Sequence, residues 1–235
     1  VAIKRAIIGT KNPTTERLAA RLKVPIHNEP TDTDKVIIRW GSIAGSDTGR
    51  RVINPKEAIK RCLDKRAQLE LLSSRRVPVP RLVTKPPCVA REPYHSRGRS
   101  FFICHTEEEV NEAMEAGAVL MTELIDVDTE YRVHVIHGSV VSIAIKVPSE
   151  KAHPIIRSVS HGWKFEEVEN MELADAESII RYSLKAVDVL GLDFGAVDIA
   201  LTPDWRTRIF EVNTAPGLSE ERVEIYAQAL KGLIG

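Results

Sequence analysis

FGAVDIALTPDWRTRIFEVN, residues Phe194 to Asn213, is the stretch on which the fold reading turns. Two β-rich runs flank Pro203-Asp204-Trp205-Arg206, a group with turn character. A hairpin symmetric about the Asp204–Trp205 bond sets Asp198 directly opposite Glu211, and two-residue alternation puts Asn213 on the face of Glu211. Facing carboxylates on neighbouring strands repel, so a sheet avoids the arrangement unless a cation removes the penalty. Asp, Glu and Asn offer hard oxygens, with no His or Cys nearby in sequence, which favours magnesium or manganese over zinc. Magnesium takes few carboxylates and completes its shell with phosphate oxygens, so the same pattern points to a nucleotide. A solvated hairpin face with coincidental acids is the competing reading.

Upstream, EYRVHVIHGSVVSIAIK (Glu130 to Lys146) forms a second hairpin. A three-residue turn about Gly138, with a bulge at the glycine, pairs Tyr131 with Ile145, Val133 with Ile143 and Val135 with Val141. The other face then carries Glu130 opposite Lys146, Arg132 opposite Ala144 and His134 opposite Ser142. One side is core and the other an ionic floor, unless that floor is ordinary solvent exposure. Arg157, His161 and Lys164 lie in a loop-like stretch around His161-Gly162-Trp163 and offer cations to phosphate or to a substrate carboxylate.

Toward the N-terminus, Met121-Thr122-Glu123-Leu124-Ile125 ends a strand, Ala118–Ile125, with one acid in an apolar setting. It reads as a strand terminus or as a hinge that receives adenine. The basic loop His95-Ser96-Arg97-Gly98-Arg99-Ser100 separates the strands Cys88–Arg91 and Ser100–Cys104; it is an ordinary connection or a polyphosphate wrap. It matches neither the P-loop nor the dinucleotide fingerprint. A further short strand is expected at Arg81–Val83 and a helix at Glu107–Ala116. The preceding helix is marked by Asn54 as cap, Pro55 at its first position and Glu57 at the capping-box position, and runs to about Arg76 before the extended VPVPR. A strand at Ala6–Gly9, a helix at Thr14–Leu22 and a strand at Lys35–Trp40 read as half of a doubly wound unit, followed by the Gly41–Arg51 loop. Helices at Asp175–Leu190 and Ser219–Ile234 frame the acidic hairpin.

The 235 residues carry 33 basic and 33 acidic side chains, a balance with no general pull toward nucleic acid or anionic lipid. No apolar run reaches the roughly 18 residues of a membrane span, and the opening VAIKRAIIGT lacks a signal-peptide core. Cys62, Cys88 and Cys104 are too scattered for a disulfide framework or zinc site and read as reduced core residues of a cytoplasmic protein.

In order and spacing these motifs resemble the ATP-grasp superfamily over essentially the whole chain, and are similar to its ribosomal-protein glutamyl ligase and related peptide ligases. The resemblance implies an α+β fold in which two subdomains grip ATP: a reduced α/β pre-grasp domain over 1–54, a small subdomain over 55–125 and a large one over 126–235. It implies ATP contacts at Lys65, at Arg91 where the family usually has a lysine, in the loop His95, Ser96, Arg97 and Gly98, at hinge residues Glu123 and Leu124, and at Glu130. GAVDIA followed by FEVNTAPG carries over two magnesium ions, with manganese as substitute, to Asp198, Glu211 and Asn213. Arg132, Lys146 and Arg157 become the catalytic cations, and His161 and Gly162 border the substrate.

The implied chemistry is ADP-forming ligation of a carboxylate to an amine through an acyl-phosphate. Such a step brings an anion toward a polyanion and needs cations arranged in advance. The partners are small-molecule or peptide substrates, without nucleic acid or membrane, in a chain that resembles homo-oligomeric ligases. A phosphotransferase using the same nucleotide site and a non-catalytic ATP-binding module are the alternatives.

Overall fold

The computed structural model describes residues 3–92, 101–168 and 173–234. Among them the strands form three sheets. The first is parallel, in the order β2-β1-β3-β4: β1 (Arg5–Ile8), then α1 (Pro13–Leu22), β2 (Ile26–His27), β3 (Val36–Arg39) and β4 (Arg51–Ile53). Parallel pairing of β1 with β3 fits the doubly wound expectation; β2 and β4 are too short to leave a periodic signal. Asn12 starts α1 by accepting the Thr14 and Thr15 amides, while the Thr15 hydroxyl receives the Asn12 amide.

Asn54 was expected to cap a helix and does something else. It sits at φ 60°, a region asparagine tolerates better than most residues. Its side-chain oxygen accepts the Asp193 and Phe194 amides, its amide donates to the Phe194 carbonyl, and its own backbone N–H donates to Asp193. The residue therefore clamps the end of β4 to the large sheet. The helix that follows has no side-chain cap and breaks in two, α2 (Lys56–Leu63) and α3 (Lys65–Ser74). Asp64 causes the break by taking an extended conformation and accepting the Ala67 amide, since a short acidic side chain competes for backbone donors. Lys65 thus becomes the first residue of a new helix.

The second sheet is antiparallel, β6-β5-β7, from β5 (Cys88–Arg91), β6 (Phe101–Cys104), α4 (Glu107–Glu115) and β7 (Leu120–Glu123). The strand expected at Arg81–Val83 reduces to a single bridge between Leu82 and Thr122. Cys62, Cys88 and Cys104 are buried and free.

The third sheet contains β8 (Thr129–Ile136), β9 (Ser139–Pro148), β10 (Trp163–Glu167), β11 (Phe194–Leu201) and β12 (Thr207–Asn213), in the antiparallel order β10-β9-β8-β11-β12. Helix α5 (Leu173–Leu190) and α3 cover one face, where Tyr131, Val133, Val197, Ile199, Ile209 and Val212 meet Leu69, Leu72, Ile179 and Leu190. Each large apolar side chain removed from water there contributes about 1.5–3 kcal/mol. Helix α6 (Glu220–Ile234) packs with α1, Trp40, Phe194 and Tyr226 into a second core that joins the first sheet to the third.

Both hairpin registers hold at the functional rows and shift near the turns. Asp198 does face Glu211, but toward the turn Ile199 pairs with Ile209 and Leu201 with Thr207, so the turn centres on Asp204 and a bulge at Phe210 restores the pairing. In the other hairpin Val135 pairs with Val140 rather than Val141. The turn there is two residues, His137 and Gly138, at φ 48° and 71°, matching the twist of the strands.

Candidate active site

Alternation along the third sheet collects one polar face opposite the α5 core. One row across it runs Glu167, Ala144, Arg132, Asp198, Glu211; the next runs Ser142, His134, Ala196, Asn213. Arg132 grips Asp198 through two hydrogen bonds of 2.7 Å, a fork-on-carboxylate geometry. The Lys146 ammonium donates to Glu130 and stands 3.8 Å from Asp198. Lys65 reaches across from the start of α3 to Glu211 at 2.7 Å, and Asn213 donates to the other oxygen of Glu211 at 2.8 Å. The break at Asp64 is what aims Lys65 here. Gln68, fully buried one turn later, receives the Val212 amide and donates to the Val212 carbonyl, fixing the backbone between Glu211 and Asn213.

Electrostatics follow the packing. Burial pushes the Glu211 carboxyl up, but Lys65, Asn213 and Arg132 outweigh it and hold the group well below the usual carboxylate range. Glu130 goes the other way: burial and the neighbouring Asp198 raise it against the pull of Lys146. Burial works against the charge of Arg132, yet Asp198, Glu211 and Glu130 together secure its proton more firmly than usual.

From the facing small sheet, Arg91 is buried, donates to Thr122 at 3.1 Å and lies 5.0 Å over the Phe101 ring. Burial lowers its proton affinity, and the nearby Glu211 acts against that. Lys65, Glu130, Arg132, Lys146, Asp198, Glu211 and Asn213 are therefore one cluster, and Arg91 feels the charge of Glu211 within it.

Among the described residues, the other expected site residues take their hydrogen bonds elsewhere, although Arg157 feels the charge of Glu130. Glu123, at the end of β7, is bound by the Arg81 amide and guanidinium, with Arg208 at 3.9 Å. The Leu124 amide makes a long contact, 3.4 Å, to the Pro87 carbonyl. Arg157 donates to the Val127 and Asp128 carbonyls and stacks 4.7 Å over Trp163; burial lowers its proton affinity while Glu130 opposes. His161 ends a 3₁₀ turn (Val159–His161), with its ring bonded to the Ser158 hydroxyl. Gly162 meets a backbone demand: φ is 85° and a Cβ would fall 2.9 Å from Ala152 Cα. Lys164, read as a phosphate cation in a loop, belongs to β10, points to solvent and pairs with Glu166, because alternation turns it away from the polar face. His95, Ser96, Arg97 and Gly98 lie outside the described residues.

Sequence reading missed Gln68, Phe165 and Arg222. Phe165 sits under Arg132 and Lys146, and Arg222 donates to the Ser142 hydroxyl and pairs with Glu167. Only the alternation of Trp163, Phe165 and Glu167 would have signalled the first; Gln68 and Arg222 leave no trace in local pattern.

Among the described residues no three His, Cys, Asp or Glu side chains group to hold a metal ion. Two carboxylates and an amide are nevertheless chemically suited to magnesium when phosphate oxygens complete the shell.

A family model described as the RimK-like ATP-grasp domain matches residues 73–233. The chain belongs to the RimK-like ATP-grasp family. No curated protein matches. Among solved structures, D-alanine–D-alanine ligase from Bacillus anthracis superposes with a TM-score of 0.75 at 15% identity, covering 99% of this chain and 96% of that one. The ATP-grasp ligase PsnB, complexed with a phosphomimetic variant of its minimal precursor, Mg and ADP, gives 0.71 at 14%, covering all of both chains. N5-carboxyaminoimidazole ribonucleotide synthetase from Thermotoga maritima gives 0.74 at 14%, covering 99% of this chain and 76% of that one. At such identities the likeness speaks for the fold, and the fold is ATP-grasp. Two of these neighbours are named as ligases and the third as a synthetase, and the sequence leads to the expectation of a ligase here too. No helix among the described residues is long and apolar enough to cross a membrane.

Proposed function

We propose that this RimK-like ATP-grasp chain is a cytoplasmic, ADP-forming ligase that joins a small-molecule or peptide carboxylate to an amine through an acyl-phosphate. The observation that carries the reading is the Asp198–Glu211 pair, set across neighbouring strands and already surrounded by Arg132, Lys146 and Lys65. Residues 1–54, 55–125 and 126–235 are taken as the pre-grasp, small and large parts. Asp198, Glu211 and Asn213 would hold up to two magnesium ions, or manganese in their place. Such ions supply charge neutralisation at the phosphates.

The chain's own contribution is positioning and charge. Lys65 and Arg91 approach the phosphates from α3 and the small sheet, and Arg132 and Lys146 from the floor. The Leu124 amide, weakly engaged, is left to meet the base at the hinge. A substrate carboxylate oxygen attacks the γ-phosphorus and ADP departs; an amine then attacks the acyl carbon and phosphate leaves. Arg157 stands near Glu130 and would stabilise charge on the transferred group, with His161 and Gly162 in the turn beside it.

The test is a screen of amino acids and short peptides, with ATP and magnesium, for stimulated ADP release, followed by mass spectrometry. Hydroxylamine should trap the intermediate as a hydroxamate. A stable phosphorylated acceptor without hydroxamate would replace the ligase by a phosphotransferase, and binding of ATP without any ADP release would make the chain a binding module.

A further inference from the structure

The cations assigned to phosphate chemistry sit on different elements, Arg132 on β8, Lys146 on β9 and Arg157 in the loop before the 3₁₀ turn. A single edge strand, β10, meets all three. Its inward residues alternate as Trp163, Phe165, Glu167, opposite Pro148, Lys146 and Ala144 of β9. The Phe165 ring has the Arg132 guanidinium carbon 4.3 Å from its centroid and the Lys146 nitrogen at 5.5 Å. The Trp163 ring lies 4.7 Å from the Arg157 guanidinium and is itself pinned, its indole N–H donating to the His153 carbonyl at 2.9 Å. Both carbon-to-ring distances fall within the range of a cation held over an aromatic face.

Phe165 resolves a difficulty in the cluster. Arg132 and Lys146 are like charges within reach of the same carboxylate, Asp198, and a flexible ammonium or guanidinium so placed has several arrangements of similar energy. The two hydrogen bonds to Asp198 fix the edge of the Arg132 guanidinium, and the Phe165 face fixes its plane. Were another ligand to engage the Asp198 oxygens, the edge contact would go and the ring would still hold the guanidinium. A leucine would fill similar space without the negative π face that attracts cations.

We infer that Phe165 is a positioning residue which holds Arg132 and Lys146 toward the terminal phosphate of a bound nucleoside triphosphate, with Trp163 doing the same for Arg157. This rests on the proposed nucleotide site. Its signature is selective: the ring-held cations act on the third phosphate, so diphosphate binding stays nearly constant while the preference for triphosphate falls.

The experiment compares full-length wild type, Phe165→Leu and Phe165→Tyr by calorimetric titration with ADP and with a non-hydrolysable ATP analogue, both with magnesium. Phe165→Leu should lose about 2- to 30-fold of the triphosphate preference, and Phe165→Tyr, which keeps the aromatic face, should restore it. Matching thermal midpoints for the two variants separate positioning from a packing defect. A leucine variant that prefers triphosphate as strongly as wild type overturns the assignment, and so does a wild type that binds both nucleotides alike. A wild type with the expected preference but no acid- and amine-stimulated ADP release would leave the positioning role standing and remove the ligase reading.

Discussion

Two sets of buried polar side chains differ in what surrounds them. In the first, Arg39 donates to Asp47 and to the Ser42 and Ala44 carbonyls, Asp47 also receives the Lys56 amide, and Asn54 exchanges four hydrogen bonds with Asp193 and Phe194. Nearly every one of these bonds has a backbone group at one end. In the second, Glu130, Asp198 and Glu211 crowd with Arg132, Lys146 and Lys65, and the bonds run from side chain to side chain. Backbone partners cannot move without unfolding, so the first set specifies structure. Side-chain partners exchange freely, so the second set is a stock of charge that a polyanion and its cations would rearrange.

That contrast is broken or sharpened by four measurements, the largest effect first. Glu211→Ala should reduce magnesium-dependent ADP formation by about 1,000-fold, of the order seen when a key electrostatic group is removed, with the circular dichroism spectrum retained; turnover at the wild-type rate would dismiss the metal assignment. Asn54→Ala should do the reverse, costing about 3 kcal/mol in chemical denaturation because two buried amides and a carbonyl lose their partner, while the folded fraction still binds nucleotide. Weaker nucleotide binding with unchanged stability would mean that the two sets are not separate.

His134 lies between them, in the polar face but bonded to the Tyr226 hydroxyl at 2.9 Å. Burial, helped by Arg222 and Arg132, lowers its pKa to about 3. The unfolded chain therefore binds the extra proton between its ordinary value and about 3, so stability falls as pH drops through that window, by about 1.4 kcal/mol per unit. Denaturation at a series of pH values should show this slope, and His134→Gln should flatten it by that amount; an unaltered slope would place the acid sensitivity elsewhere. Arg91→Lys should give the smallest change, about 10-fold in turnover, since charge survives but the Thr122 bond and the stack on Phe101 do not. Complete insensitivity would set Arg91 outside the phosphate site.

Much of the second set was legible because strand alternation is a local rule. Arg132 opposite Ala144 and His134 opposite Ser142 are pairings that hydrophobic patterning enforces, since a one-residue slip would bury charge and expose core, whereas Asp198 opposite Glu211 is read from turn symmetry. The turn details escaped because a bulge at Phe210 costs little and compensates a half-step shift, which no pattern records. Helix capping misled at Asn54, where the local signal was sound but a tertiary partner, Asp193, competed more strongly for the same side chain.

Sequence by itself determined most of the longer elements, the acid-bearing hairpin and the ionic floor, because periodicity and turn chemistry act over a few residues. The order of its motifs carried the resemblance to the family that the RimK-like model then matched. Tertiary structure alone decided that Lys65 reaches Glu211 across 146 positions, that Gln68 locks Val212, and that one edge strand slides its aromatic rings beneath three separate cations. Such contacts depend on how helices and sheets dock, and docking is governed by the summed shape of buried surfaces rather than by any neighbouring run of residues.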